Sequence, residues 1–117
     1  MSSLSLYLVV LRSADTEKSI TFYNRIGLKF KAHQHGAGEP HFASEVKQGV
    51  FEIYPSSKEY PITRGTRIGF TVKSIDAILK EFAGSPSSIC MPPKDSKWGR
   101  RAVLLDPDGH KVELLEK

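Results

Sequence analysis

The run RIGFTVKSIDAILKEFAG, residues 67–84, decides the architecture of this chain. Over Arg67–Val72 the large apolar residues Ile68, Phe70 and Val72 alternate with Arg67, Gly69 and Thr71, the period of two that marks a strand with one covered face. Ser74 then offers a helix cap, and Ile75, Ile78, Leu79 and Phe82 fall on one side of a helix over 75–82. Gly84 is the expected stop. Ile68, Phe70 and Val72 should therefore pack on that helix, leaving Arg67, Gly69 and Thr71 on the opposite face.

The same order occurs earlier in the chain. Leu4 to Arg12 is almost wholly apolar and reads as a strand covered on both faces. Asp15 caps a helix that begins Thr16-Glu17-Lys18, with Ile20, Tyr23 and Ile26 in one stripe and Gly27 ending it. Leu28–Ala32 is again strand, 36–40 a turn, and Phe42–Val46 with Val50–Tyr54 a hairpin around Lys47-Gln48-Gly49. In the second half, Ser88–Met91, Arg101–Leu105 and Lys111–Leu115 follow the helix, the last two joined by a tight turn at Asp106-Pro107-Asp108-Gly109. The chain is thus predicted to be α+β, with two βαβββ modules over about 4–55 and 66–117, a Ser- and Pro-containing linker at 56–65, and a single domain over 1–117.

One helix can cover only one face of a four-stranded sheet. The other face stays open until a second half, from the same chain or exchanged between chains, stands opposite it, and a curved mixed sheet built from both modules then encloses a cavity. In the strand ending each module, Phe51 and Ile53, and likewise Val112 and Leu114, should face the helix. Glu52 and Glu113 then point inward, a carboxylate in the last strand of both halves.

Charge and cysteine content narrow the partners. The net charge of +4 favours anionic over cationic ligands. The cations are scattered, with small groups at Arg64–Arg67 and Lys94–Arg101, and no basic helix or aromatic-interleaved basic stripe points to nucleic acid. No apolar run approaches the roughly 18–20 residues that cross a bilayer, and the N-terminus lacks the pattern of a signal peptide. Cys90 is the only cysteine, expected to be a half-buried filler, so no intrachain disulfide forms and a reducing, cytoplasmic location is expected.

The run S-A-D-T-E-K-S-I-T-F-Y-N-R-I-G-L from Ser13 to Leu28, with D-P-D-G-H-K-V-E-L-L from Asp106 to Leu115, resembles the vicinal oxygen chelate superfamily. That group includes glyoxalase I, bleomycin-resistance proteins, fosfomycin-resistance enzymes and extradiol dioxygenases. The resemblance implies a glyoxalase/bleomycin-resistance-like fold and metal-ligand positions at Leu8, Glu52, Arg67 and Glu113, where glyoxalase-like members carry His, Glu, His or Gln, and Glu. Both glutamates match. Leu8 has no donor atom, and Arg67 is a permanent cation. No metal and no other cofactor is therefore expected; Arg67 would pair with one or both carboxylates in place of a dication. The alternative is that Arg67 only edges the pocket and one glutamate is a solvated rim residue. His33, His35, His41 and His110 lie near hairpin ends, where surface histidines are common, although the H-x-H pair can chelate.

The resemblance implies a small-molecule binder. The basic character of the chain, with Arg12, Arg67, Arg100 and Arg101 on or near predicted strand ends, makes a planar or aromatic, anionic or neutral ligand the expectation. Arg67, Leu8, Tyr54, Trp98 and Arg100 are the candidate ligand-binding residues. Trp98 resembles the family's pocket-edge segment and can stack, with a surface aromatic covering the sheet edge as its rival reading; Tyr54 shares the parity of Glu52. The other functional reading is a lyase, isomerase or dioxygenase of the same superfamily, metal-dependent or using Glu52 or Glu113 as general base. Edge strands and a half-open sheet imply a homodimer.

Overall fold

The computed structural model describes residues 3–117. The chain divides into two compact units, one ending at Thr63 and the other beginning at Arg64, a boundary inside the expected linker.

The first unit contains β1 (Leu8–Ser13), α1 (Thr16–Ile26), β2 (Lys31–His33), β3 (His41–Val46) and β4 (Gly49–Pro55). The strands form one sheet in the order β1-β4-β3-β2. β1 runs parallel to β4, and the two hairpin pairs are antiparallel. The Asp15 side chain caps α1 by accepting the Lys18 N–H at 3.1 Å, and Gly27, with φ of +123°, ends it. Both termini lie where cap and stop residues placed them. Phe22, Tyr23 and Ile26 of α1 are buried with Leu11, Phe51 and Ile53 of the sheet. Tyr23 meets Phe51 edge-on, ring centres 4.9 Å apart, which adds a directional term to the hydrophobic one.

β1 departs from expectation. It begins at Leu8 rather than Leu4, and Leu4, Leu6 and Tyr7 are exposed, as in part are Leu8 and Val10. Among the described residues β1 is an edge strand with β4 as its ladder partner, and the side bearing Leu11 is the one buried with α1. The apolar run is therefore uncovered within its own unit. Gly49 also plays a different part from the one its hairpin position implied. It opens β4, opposite Val46 across a two-residue turn, and a Cβ there would come within 1.9 Å of the Tyr7 carbonyl oxygen. Glycine is required by the close approach of the two backbones, and Val50 N–H donates to that same carbonyl at 2.7 Å.

The second unit contains β5 (Arg67–Val72), α2 (Ile75–Lys80), a 3₁₀ turn (Pro86–Ser88), β6 (Ile89–Ser96), β7 (Gly99–Leu105) and β8 (Lys111–Glu116). Its sheet repeats the topology of the first, in the order β5-β8-β7-β6 with β5 and β8 parallel. Ser74 caps α2 through the Ala77 N–H at 3.1 Å. The helix stops at Lys80, short of the expected Phe82, and Gly84 does not have a positive φ. The chain instead continues in tighter turns, with Glu81 N–H donating to Ile78 and Phe82 N–H to Leu79, which brings Phe82 fully into the core with Ile75, Ala102, Leu104, Val112 and Leu114. β6 is longer than Ser88–Met91 because β-bulges let it follow β7 to Ser96. Cys90 on β6 is exposed rather than half-buried. The two open, curved four-stranded sheets, each with one helix, make an α+β fold of two βαβββ units.

Candidate functional site

In the second unit β8 places Glu113 on the face away from α2, because Val112 and Leu114 are wholly buried beside it. Two guanidinium groups converge on Glu113. Arg67 Nη2 donates to Oε1 at 2.8 Å, and Arg101 Nη2 donates to the same oxygen. Register explains the meeting: Gly69 of β5 and Val103 of β7 are the direct neighbours of Glu113, and Arg67 and Arg101 lie two residues along on the same side. Lys111 stands opposite Arg67, and Lys94 opposite Arg101. This face thus carries Arg67, Lys94, Arg101 and Lys111 around a single carboxylate.

The hydrogen bond from Arg101, then that from Arg67, holds the Glu113 carboxyl below its ordinary value, against a desolvation that acts the other way. A depressed carboxylate contributes stability above its unfolded-state pKa and loses it as pH falls through the folded value. The melting temperature of Glu113→Gln should therefore differ from that of the parent at neutral pH and converge on it in acid, below the folded value. Parallel melting curves from pH 7 to pH 2 would show that the carboxylate is not coupled to folding. Arg67 is 52% exposed, so its loss alone should cost less than that of Arg101, which is 25% exposed.

Arg100, expected with the ligand-binding residues, lies on the opposite side. It shares the parity of the buried Ala102 and Leu104, and its guanidinium pairs with Asp76 of α2 at 3.0 Å. Glu116, also on the helix side, accepts the Ile75 N–H at 2.9 Å and so helps to cap α2. Arg100 ties β7 to the start of the helix, and Arg101 is the arginine on the Glu113 face. The signal was present in the sequence, since Arg101 shares the parity of Val103, but the hydrophobic neighbours of β7 were needed to orient it. Trp98 sits at the β6–β7 turn and is 64% exposed, with Lys97 Nζ 4.7 Å from its ring.

In the first unit β4 presents Glu52 and Tyr54 on the face away from α1, as parity required. Leu8 and Val10 flank this face from β1; Val10 stands opposite Glu52 and Leu8 opposite Val50. Across β4 from them stands a residue that sequence reasoning assigned to the surface. His41 is 2% exposed, and its Nε2 lies 3.4 Å from Glu52 Oε2. Its ring stacks on Tyr54, 4.2 Å centre to centre and 5° from parallel. Arg12 flanks Tyr54 from the β1 side at 4.7 Å, lies 4.4 Å from the Tyr60 ring, and binds Glu39 at 2.9 Å. Burial first, and the nearby Glu52 second, push the Tyr54 hydroxyl above its ordinary value. His41 was missed because its position depends on the two-residue turn that sets Ala43 opposite Glu52.

The turn before β8 forms a third polar cluster. Asp106 Oδ1 accepts the N–H groups of Asp108 and His110, each at 2.9 Å, and Oδ2 lies 2.7 Å from His110 Nδ1. Asp106, Asp108 and His110 bring donor atoms within 4.8 Å of one another, a group that could hold a metal ion. Both Asp106 oxygens are already engaged by the turn itself, which gives the cluster a sufficient structural purpose.

The chemistry of the four metal-ligand positions named by the resemblance does not fit a transition ion. Leu8 supplies no donor, Arg67 is a cation, and Glu113 is engaged by two guanidinium groups.

Comparison with known proteins agrees with the fold. The profile of the Glyoxalase/Bleomycin resistance protein/Dioxygenase superfamily matches residues 6–114. An uncharacterized protein of Mycolicibacterium smegmatis (strain ATCC 700084 / mc(2)155) is 30% identical over 110 residues, which is 94% of this chain and 91% of that one. Among solved structures, TnmS3, an antibiotic binding protein from Streptomyces sp. CB03234, is similar with a TM-score of 0.77 and 22% identity, over 99% of this chain and 98% of that one. The oxidase ChaP-H2 is similar with a TM-score of 0.78 and 21% identity, over 99% and 95%. One of these neighbours is named as a binder and the other as an oxidase, so the shared fold leaves the chemistry to the side chains. With the profile matched over nearly its whole length, the chain belongs to the Glyoxalase/Bleomycin resistance protein/Dioxygenase superfamily.

Proposed function

We propose that this protein binds a small planar or aromatic molecule, anionic or neutral, on the helix-free face of the sheet that carries Glu113, without the family's complete metal site. The observation that carries this reading is the arrangement around Glu113. Two guanidinium groups and two lysines on one face exceed the single carboxylate among them, and a carboxylate or phosphate on a ligand would take up the surplus. Trp98 at the β6–β7 turn of the same unit offers aromatic surface, and Tyr54 and Leu8 on the open face of the first unit are proposed as a separate patch of aromatic and apolar contact. Binding is favoured over general-base catalysis at Glu113, because a carboxylate held low by two arginines is a weak base.

The test is calorimetric titration with a panel of aromatic carboxylates and neutral antibiotics, in buffer free of divalent ions. At least one aromatic acid should bind, the Arg67→Ala/Arg101→Ala double variant should weaken it tenfold or more, and Arg100→Ala should leave it within about twofold. No binding by any member, or an equal loss in Arg100→Ala, would overturn the proposal.

The exposed apolar residues Leu6, Tyr7 and Leu8, which lead into the edge strand β1, support self-association of the chain as a homodimer, since an edge strand is an open template for pairing. Light scattering should give the mass of two chains; a monomer mass across a wide concentration series would refute this.

A further inference from the structure

Three of the four histidines gather at one corner of the open face of the first unit, and the binding proposal uses none of them. His33 and His41 are cross-strand partners, with ring centres 5.8 Å apart. His35 lies 5.5 Å from His41 and 5.9 Å from His33. His33 and His35 are exposed, so burial does not force their rings toward His41.

His41 is held in a defined orientation. Its Nδ1 lies 3.1 Å from the Glu39 carbonyl oxygen, an acceptor only, so Nδ1 carries a proton and donates it there. In the neutral ring Nε2 then holds a lone pair, and that lone pair faces the Glu52 carboxylate at 3.4 Å. Two electron-rich atoms so placed are reconciled either by a proton on Nε2, which makes an ion pair, or by a metal ion between them. Their separation is longer than the 2.7–2.9 Å or so of a charge-assisted hydrogen bond between imidazolium and carboxylate. It matches the roughly 3.4 Å between two donors that each lie about 2.1 Å from a tetrahedral ion. A ring N–H given to a backbone carbonyl is also the arrangement that orients metal-binding histidines.

We propose that His41, Glu52, His33 and His35 form a site for a divalent first-row transition ion of the zinc, cobalt and nickel class. His41 and Glu52 are its preset pair. His33 and His35 lie tilted by 19° and 37° to His41 rather than aimed at a common centre, and they close the site by rotating their exposed side chains. Three imidazoles on one ion place their ring centres about 5 Å apart, less than an ångström from those present. No three of these four residues have donor atoms within 4.8 Å of one another as they stand, so the site forms only when the exposed rings turn. Of the nearby charges, Arg12 is paired with Glu39, and Lys31 and Glu45 lie further along the same face with opposite signs. This site shares only Glu52 with the four positions considered above, and it does not depend on the organic ligand.

The full chain, stripped with a chelator, is titrated with cobalt(II) and separately with zinc(II) at neutral pH, with calorimetry and visible absorption as readouts. One equivalent should bind in the micromolar range or tighter, with the intense visible band of four- or five-coordinate cobalt. His41→Gln and the His33→Ala/His35→Ala double variant should each weaken binding tenfold or more, and Arg101→Ala should not. The two histidines of the double variant are exposed, so that variant tests the site even if His41→Gln fails to fold. Binding unchanged in the double variant, only millimolar affinity, or an imidazolium signal at His41 that does not respond to cobalt would each overturn the proposal. Retained cobalt binding in Arg101→Ala separates failure here from failure of the anion-binding reading.

Discussion

Asp106→Ala is expected to lower stability by about 3–5 kcal/mol, the cost of removing one partner from a buried hydrogen-bonded pair. For a chain of this length that corresponds to a fall in melting temperature of roughly 10 °C or more. The side chains of Asp106 and His110 are both 1% exposed, so water cannot replace the lost acceptor. Alanine would strand the N–H groups of Asp108 and His110 together with the His110 ring nitrogen. Asn at the same position keeps one acceptor oxygen and should fall between the two. The effect extends to the anion face: this turn sets the register in which Val103 stands opposite Glu113, and that register carries Arg101 to the carboxylate. Chemical denaturation of Asp106→Ala and Asp106→Asn beside the parent checks the order. A loss under 1 kcal/mol in the alanine variant would show that the turn does not depend on this side chain.

Phe51→Ala should cost a similar amount, about 3–5 kcal/mol, by a different mechanism. Phe51 is 2% exposed and touches Tyr23 edge-on and Phe30 at 6.1 Å. Its removal leaves a cavity between α1 and β4 that the surrounding aromatic rings cannot fill without leaving their rotamers. Phe51→Leu retains most of the volume and should lose less than about 1.5 kcal/mol. The next residue along β4 is Glu52, so the alanine variant should also weaken cobalt binding, while the leucine variant leaves it close to the parent. Denaturation midpoints together with cobalt titration of both variants test this; equal stability losses in the two would contradict cavity formation as the cause.

Much of the fold was legible because its signals are local. Asp15 and Ser74 are caps by their own hydrogen bonds to residues three along, and Gly27 stops a helix by its own φ. The alternation Phe51, Glu52, Ile53 and Val112, Glu113, Leu114 follows from strand geometry alone, and it pointed both glutamates away from the helices. Where the reading failed, a second segment was involved. The run from Leu4 looked covered on both sides because composition reports apolarity, not whether a neighbour exists to cover it. Phe82 looked like a helix residue because its spacing from Ile78 and Leu79 suits a tighter turn equally well.

By itself, then, the sequence determined the two βαβββ repeats, the side of each strand that meets a helix, and the surplus of positive charge, since each is set by residues a few positions apart. Only the tertiary structure decided the partners on the open faces. Arg101 rather than Arg100 reaches Glu113, and His41 rather than a more distant group faces Glu52, because β7 and β3 fall into particular registers against β8 and β4. A register is fixed by pairing and packing between distant segments, and a slip of one residue would exchange every side chain on the face.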